Sequence, residues 1–162
     1  MSKFIEGLNR WMGYISQFIL LILVFLTTFD VLGRFFFHRP ITGTFELTEL
    51  GLALVIFLGL GLTHWHDEHI SIDFLTTKMS ARKQALLDIG IDLFITLFMV
   101  LVAYNLWDNS KRIANSNTVT GDLGLPISVF IIIAALGTLA FALSALAKAL
   151  NLLPKVVKKN VS

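Results

Sequence analysis

The chain has 162 residues, of which 56% are hydrophobic and 15% charged, with a formal net charge of +2 and no cysteine. Soluble domains carry about 25% charged residues, so this balance, with a mean hydropathy of +0.78, excludes an ordinary water-soluble domain. The lack of cysteine also excludes disulfides and thiolate metal sites.

Apolar runs lie near residues 11–33, 45–65, 85–107 and 127–150. Each is long enough for a helix to cross a hydrocarbon core, which takes about 20 residues. They leave no room for a separate soluble domain. The predicted fold class is therefore an all-α integral membrane protein, a single four-helix domain over residues 1–162. The first run follows Lys3 and Arg10, as the core of a secretory signal would. It continues unbroken through residues 18–26 with no small-residue cleavage site, which predicts a retained span. Trp11 and Tyr14 open it with rings suited to the membrane interface. It runs on to about Phe37, longer than a bilayer needs, so tilt or an emerging last turn is predicted.

Pro40 and Gly43 then predict a tight turn. Thr44 stands where a cap of the second helix belongs, with Glu46 and Glu49 in its first turns. That helix carries Gly51, Gly59 and Gly61 and is predicted to end at Trp65. In the loop 66–84, Ile72, Leu75 and Met79 recur at helical spacing, which predicts a short amphipathic helix on the membrane surface. Ser80 is the predicted cap of the third helix, and Trp107 its predicted end. Residues 108–125 read as a turn-rich loop. On the fourth run Ala134, Thr138 and Ala142 are four apart, a stripe that admits another helix closely. With Gly51 and Gly59, this stripe predicts a small bundle that leans on a larger membrane neighbour. The basic tail 155–159 suits anionic lipid headgroups.

Topology follows from basic residues outside the spans. With the N-terminus in the cytoplasm, Lys3, Arg10, Lys78, Arg82, Lys83, Lys148, Lys155, Lys158 and Lys159 are inside. Arg34, Arg39, Lys111 and Arg112 are outside. The excess predicts both termini in the cytoplasm.

Ionisable groups near a bilayer need partners or water. Asp30 and Arg34 are one turn apart on the first helix, and Glu46 and Glu49 start the second at the same depth. This predicts a charge clasp in which Arg34 bridges Asp30 and Glu46 or Glu49; a coupling-ion or substrate carboxylate site is the functional alternative. Asp88 and Asp92 share a face of the third helix, and Lys148 returns near the level of Asp88, predicting that pair. Asp92 has no evident partner in the sequence, so water, protonation or another subunit must satisfy it. A proton relay needs a longer series of such groups. His64, His66 and His69 form an H-x-H-x-x-H cluster beside Asp67, Glu68 and Asp73, residue types that can ligate zinc or iron. A membrane di-iron enzyme would need further histidine clusters, and only His38 lies elsewhere. No metal, cofactor, enzymatic activity or nucleic-acid partner is expected. A stand-alone homo-oligomeric channel or small transporter, and a membrane metalloenzyme, remain the alternatives.

Four segments carry a family resemblance. Asp30-Val-Leu-Gly33-Arg34-Phe35 ends the first span and Phe45-Glu46-Leu47-Thr48 begins the second. Glu68-His69-Ile70-Ser71-Ile72-Asp73-Phe74-Leu75 follows the second span, and Leu123-Gly124-Leu125-Pro126 opens the fourth. Their order and spacing resemble the small membrane subunit (DctQ type) of tripartite ATP-independent periplasmic, or TRAP, transporters, over nearly the whole chain. The resemblance implies a bacterial inner-membrane symporter subunit beside a large multi-span subunit that moves the solute with sodium. It implies a soluble periplasmic binding protein that captures the solute, commonly an organic acid. The small subunit would be a scaffold that helps dock the binding protein. Arg34 and Glu46 match the family's arginine and glutamate at the first hairpin. His69 and Asp73 fall in its cytoplasmic loop motif, which argues against a metal there. The outer loops 38–45 and 108–125, with Lys111 and Arg112, are the expected docking surface. The family's fourth span usually carries a mid-helix proline that residues 131–139 lack, so a straighter helix is expected here.

Overall fold

The structure, a computed structural model, describes residues 2–65 and 81–158, with side chains for 5–64 and 83–152. The described chain is helical apart from its connections: α1 Ser2–Phe37, α2 Thr44–Trp65, α3 Ala81–Asn115 and α4 Ile127–Lys158. All four are long and apolar enough to cross a membrane. At a 1.5 Å rise per residue, α2 is about 33 Å long, whereas the other three run to about 48–54 Å. The surface helix predicted within residues 66–84, His69, Asp73 and the Ser80 cap lie in the segment outside the described residues, of which only the end of that loop is seen, as the start of α3.

Two helix ends are set by residues in the left-handed region. His38 (φ 54°) ends α1, its N–H returning to the Arg34 carbonyl at 3.1 Å. Asn117 (φ 50°) ends α3, where Asn117 N–H reaches the Ala114 carbonyl and Thr118 N–H the Ile113 carbonyl, a Schellman motif. The third helix therefore outlasts the predicted end at Trp107 by two turns. Helix-internal bonds hold the extension: Arg112 pairs with Asp108 one turn back at 2.7 Å, and the Ser110 hydroxyl donates to the Trp107 carbonyl. Lys111 and Arg112 thus belong to a helix, and the connecting loop begins only at residue 116.

The predicted Thr44 cap also takes another form. Its hydroxyl donates backwards to the Ile41 carbonyl at 2.9 Å, while Gly43 (φ 80°) supplies the carbonyl for the first helical N–H, from Leu47.

Helices α1, α2 and α4 touch one another pairwise, and α3 packs along α4 from outside that triangle. The centre is α4, with Ala134, Ala140, Ala142, Ala145 and Ala149 buried along it. The small-residue faces predicted to receive a larger neighbour are consumed within the chain. Leu23 of α1 fills the gap at Gly51, and Ser16 lies against Gly59. Gly137 of α4 lies on the backbone of Phe57 in α2. Lipid tails are as apolar as leucine, so this close approach, with its dispersion contacts, is what holds such helices together. Two polar ties reinforce it: the Ser16 hydroxyl donates to the Val55 carbonyl at 2.8 Å, and the buried Asn9 amide donates to the Ser144 hydroxyl.

Candidate functional site at the hairpin end

The α1–α2 and α3–α4 connections meet at one end of the bundle. Asp30, buried near the end of α1, organises the first. Its carboxylate accepts the Ile41 N–H at 2.7 Å and the Arg34 Nε–H at 2.8 Å. The peptide of Arg39 is thereby drawn over Gly33, where a Cβ would stand 3.3 Å from the Arg39 carbonyl oxygen. Arg34 lies along the surface with its side chain 60% exposed. The predicted clasp therefore does not reach Glu46 or Glu49: among the described residues Arg34 pairs with Asp30 alone.

Glu46 has a different partner. Its carboxylate accepts the N–H groups of Asp122 (2.6 Å) and Leu123 (3.1 Å), in the loop before α4. The Leu123 side chain packs into the space over Gly43 that a Cβ would occupy. That loop is closed on itself as well, by Thr120 N–H to the Leu125 carbonyl at 3.0 Å and Leu125 N–H to the Thr120 hydroxyl at 3.0 Å. Two connections 76 residues apart in sequence are thus fastened by one carboxylate. Glu49, one turn further along α2, is exposed and engages neither. Beside this end, Lys111 lies 5.7 Å over the Trp107 ring and Arg112 is tied to Asp108, so both cations stand on the surface in fixed settings.

A second polar cluster lies toward the other end. His64 Nε2 of α2 is 3.1 Å from Asp92 Oδ1 of α3, both side chains nearly fully buried. Asp92, which the sequence left without a partner, thus finds one inside the chain. The Phe141 ring stands edge-on to the His64 ring at 5.2 Å, and Lys148 Nζ donates to the His64 carbonyl at 3.4 Å. Asp88 sits half-buried one turn from Asp92. The sequence signal for the pair was present: an ionisable residue stands in each of two successive apolar runs, His64 in the second and Asp92 in the third. Reading His64 together with His66 and His69 hid it. Among the described residues no three His, Asp or Glu side chains converge as a metal site requires.

Comparison with known proteins assigns this arrangement. The family described as "Tripartite ATP-independent periplasmic transporters, DctQ component" matches residues 23–155, a stretch that takes in both hairpins, Glu46 and the His64–Asp92 pair. The chain belongs to the DctQ family. DctQ chains are the small permease subunits of TRAP transporters, a transport family and not an enzyme family, and this one is a multi-pass membrane protein. It is also 30% identical over 104 residues to the sialic acid TRAP transporter permease protein SiaT of Haemophilus influenzae (strain 86-028NP), covering 61% of this chain and 16% of that relative. The DctQ chain therefore spans about one-sixth of the length of this curated relative.

Proposed function

We propose that this DctQ chain is a single four-helix scaffold in the bacterial inner membrane, with both termini in the cytoplasm. It braces the large subunit of a sodium-driven TRAP symporter for organic acids and helps dock the periplasmic substrate-binding protein. The observation that carries the docking role is the Glu46 bond to Asp122 and Leu123, which makes one surface of two loops. A surface that receives a soluble partner gains from being held in its bound shape beforehand, because less ordering is left for the encounter. The sialic acid named for the Haemophilus relative is an organic acid, which supports that substrate class. The basic residues near Lys3, Arg82 and Lys155 support the topology. Asp88 and Lys148 are proposed as a pair beside the His64–Asp92 tie, and His69 with Asp73 as a cytoplasmic loop motif without metal.

The test is uptake by the intact transporter reconstituted with its binding protein. Lys111→Gln with Arg112→Gln is expected to raise the binding-protein concentration for half-maximal uptake about five-fold, as the loss of surface complementarity slows encounter. The membrane complex should stay intact. Unchanged concentration dependence would refute the docking role. Purification of the tagged chain as a homo-oligomer, with no large subunit, would instead return the stand-alone channel.

A further inference from the structure

Two sides of α2 are occupied. Gly51, Val55 and Gly59 face α1, and Phe57 with Leu58 meets Gly137 of α4. The third side is open and carries Phe45, Glu49, Leu52 and Ile56, spaced four, three and four residues apart on one helical face. Glu49 is unusual on it. Among the helical carboxylates, Glu6, Asp30, Asp92 and Asp108 have cationic or histidine partners, Glu46 holds two backbone N–H groups, and Asp88 is engaged as well. Glu49 alone is exposed with no hydrogen bond or ion pair to any described residue.

Its neighbours on that face are apolar. Glu49 lies about 7.5 Å along the axis from Thr44, below the exposed Phe45 ring and above Leu52 and Ile56. Exposed polar groups within spanning helices are costly against lipid and face protein or water-filled space. The open faces elsewhere carry no carboxylate without a partner among the described residues: Phe18, Leu21, Phe25 and Phe29 on α1, beside the exposed Gln17, and Phe94, Leu97, Phe98 and Leu101 on α3 are apolar and exposed. Hydrocarbon tails cover such faces without loss. They offer a carboxylate nothing.

The geometry points to the Phe45–Glu49–Leu52–Ile56 side of α2 as the seat of the large membrane subunit, with Glu49 paired to a lysine or arginine side chain of that subunit. This rests on the reading of the chain as a subunit beside a larger one. The α1 and α3 faces are then the lipid-facing sides.

The test uses the complete transporter in its own membrane. A benzoylphenylalanine photocrosslinker placed at Leu52 or Ile56 should join this chain to the large subunit, and one at Leu97 or Leu101 should give at least ten-fold less adduct. Glu49→Gln should lower the amount of large subunit co-purifying in detergent about five-fold, while Glu49→Asp keeps most of it. The accumulation and unfolding of the isolated chain should be unchanged in both variants. Crosslinks from α3 and none from α2, adducts with lipid alone, or full co-purification with Glu49→Gln would overturn the assignment while leaving the subunit reading intact. Failure of any large subunit to co-purify with the wild-type chain would overturn both.

Discussion

Replacing Gly137 by alanine puts the packing of α2 on α4 to a direct test. A Cβ at this position would stand 2.5 Å from the Phe57 carbonyl oxygen and 2.9 Å from its carbon. Both are backbone atoms, so no rotamer change relieves the clash. Ordinary contact begins at 3.4 Å, so the helices must part by 3.4 − 2.5 = 0.9 Å at this point. Overpacking of this kind costs about 1–3 kcal/mol, and a backbone obstacle belongs at the upper end. Alanine recovers about 1 kcal/mol of helix propensity, leaving a net loss of about 2 kcal/mol, or roughly thirty-fold in the folding equilibrium. Gly90 on α3 is the control, since a Cβ there meets nothing within 4 Å, and Gly90→Ala should gain up to about 1 kcal/mol. Unfolding in mixed micelles by dodecyl sulfate titration, followed by tryptophan fluorescence, measures both. A Gly137→Ala chain as stable as the wild type, or more so, would refute the close α2–α4 contact.

Three further outcomes are expected. Glu46→Ala should raise amide hydrogen exchange at Asp122 and Leu123 about ten-fold and leave the middle of α4 unaffected; equal exchange would mean that the loop holds itself. Asp30→Ala should cost more than Arg34→Ala, about 2 against about 1 kcal/mol, because Asp30 is buried and holds the Ile41 N–H while Arg34 is largely exposed. The opposite order in the same titration would restore a clasp centred on Arg34. His64→Ala and Asp92→Ala should each destabilise by roughly 3 kcal/mol, and the double variant by at least 1 kcal/mol less than their sum. Strict additivity would deny the pair.

The number and positions of the helices were legible in the sequence because a run of 20 apolar residues has few alternatives. Ends were less so. Residues 108–115 look like loop by polarity, yet the Asp108–Arg112 spacing and the Asn117 stop carry the helix past Trp107. The charge clasp was half legible: the i,i+4 relation of Asp30 and Arg34 is local, and it formed. The choice of Glu46 between Arg34 and two loop amides depends on how two distant hairpins dock, which local spacing does not encode. The same holds for Ala134, Thr138 and Ala142, whose spacing announces a close helix contact without saying whose. His64 and Asp92 needed the register of α2 against α3, and that register depends on where α3 begins.

Helix α2, described from Thr44 to Trp65, is the depth gauge of the molecule. Its length of about 33 Å matches a hydrocarbon slab of about 30 Å. A helix of about 50 Å could fit that slab only by leaning more than 50°, beyond the usual 0–40°, and α1 is moored along α2 from Asn9 to Leu23. The surplus must therefore stand clear of the membrane. The surplus of α1 emerges at the hairpin end, because the turn folds back to Asp30 and α1 runs on to Phe37 past the level of Thr44; that of α3 and α4 emerges at the other end, beyond the Asp92–His64 pair. The protein floats with a fixed draught, and α2 sets the waterline.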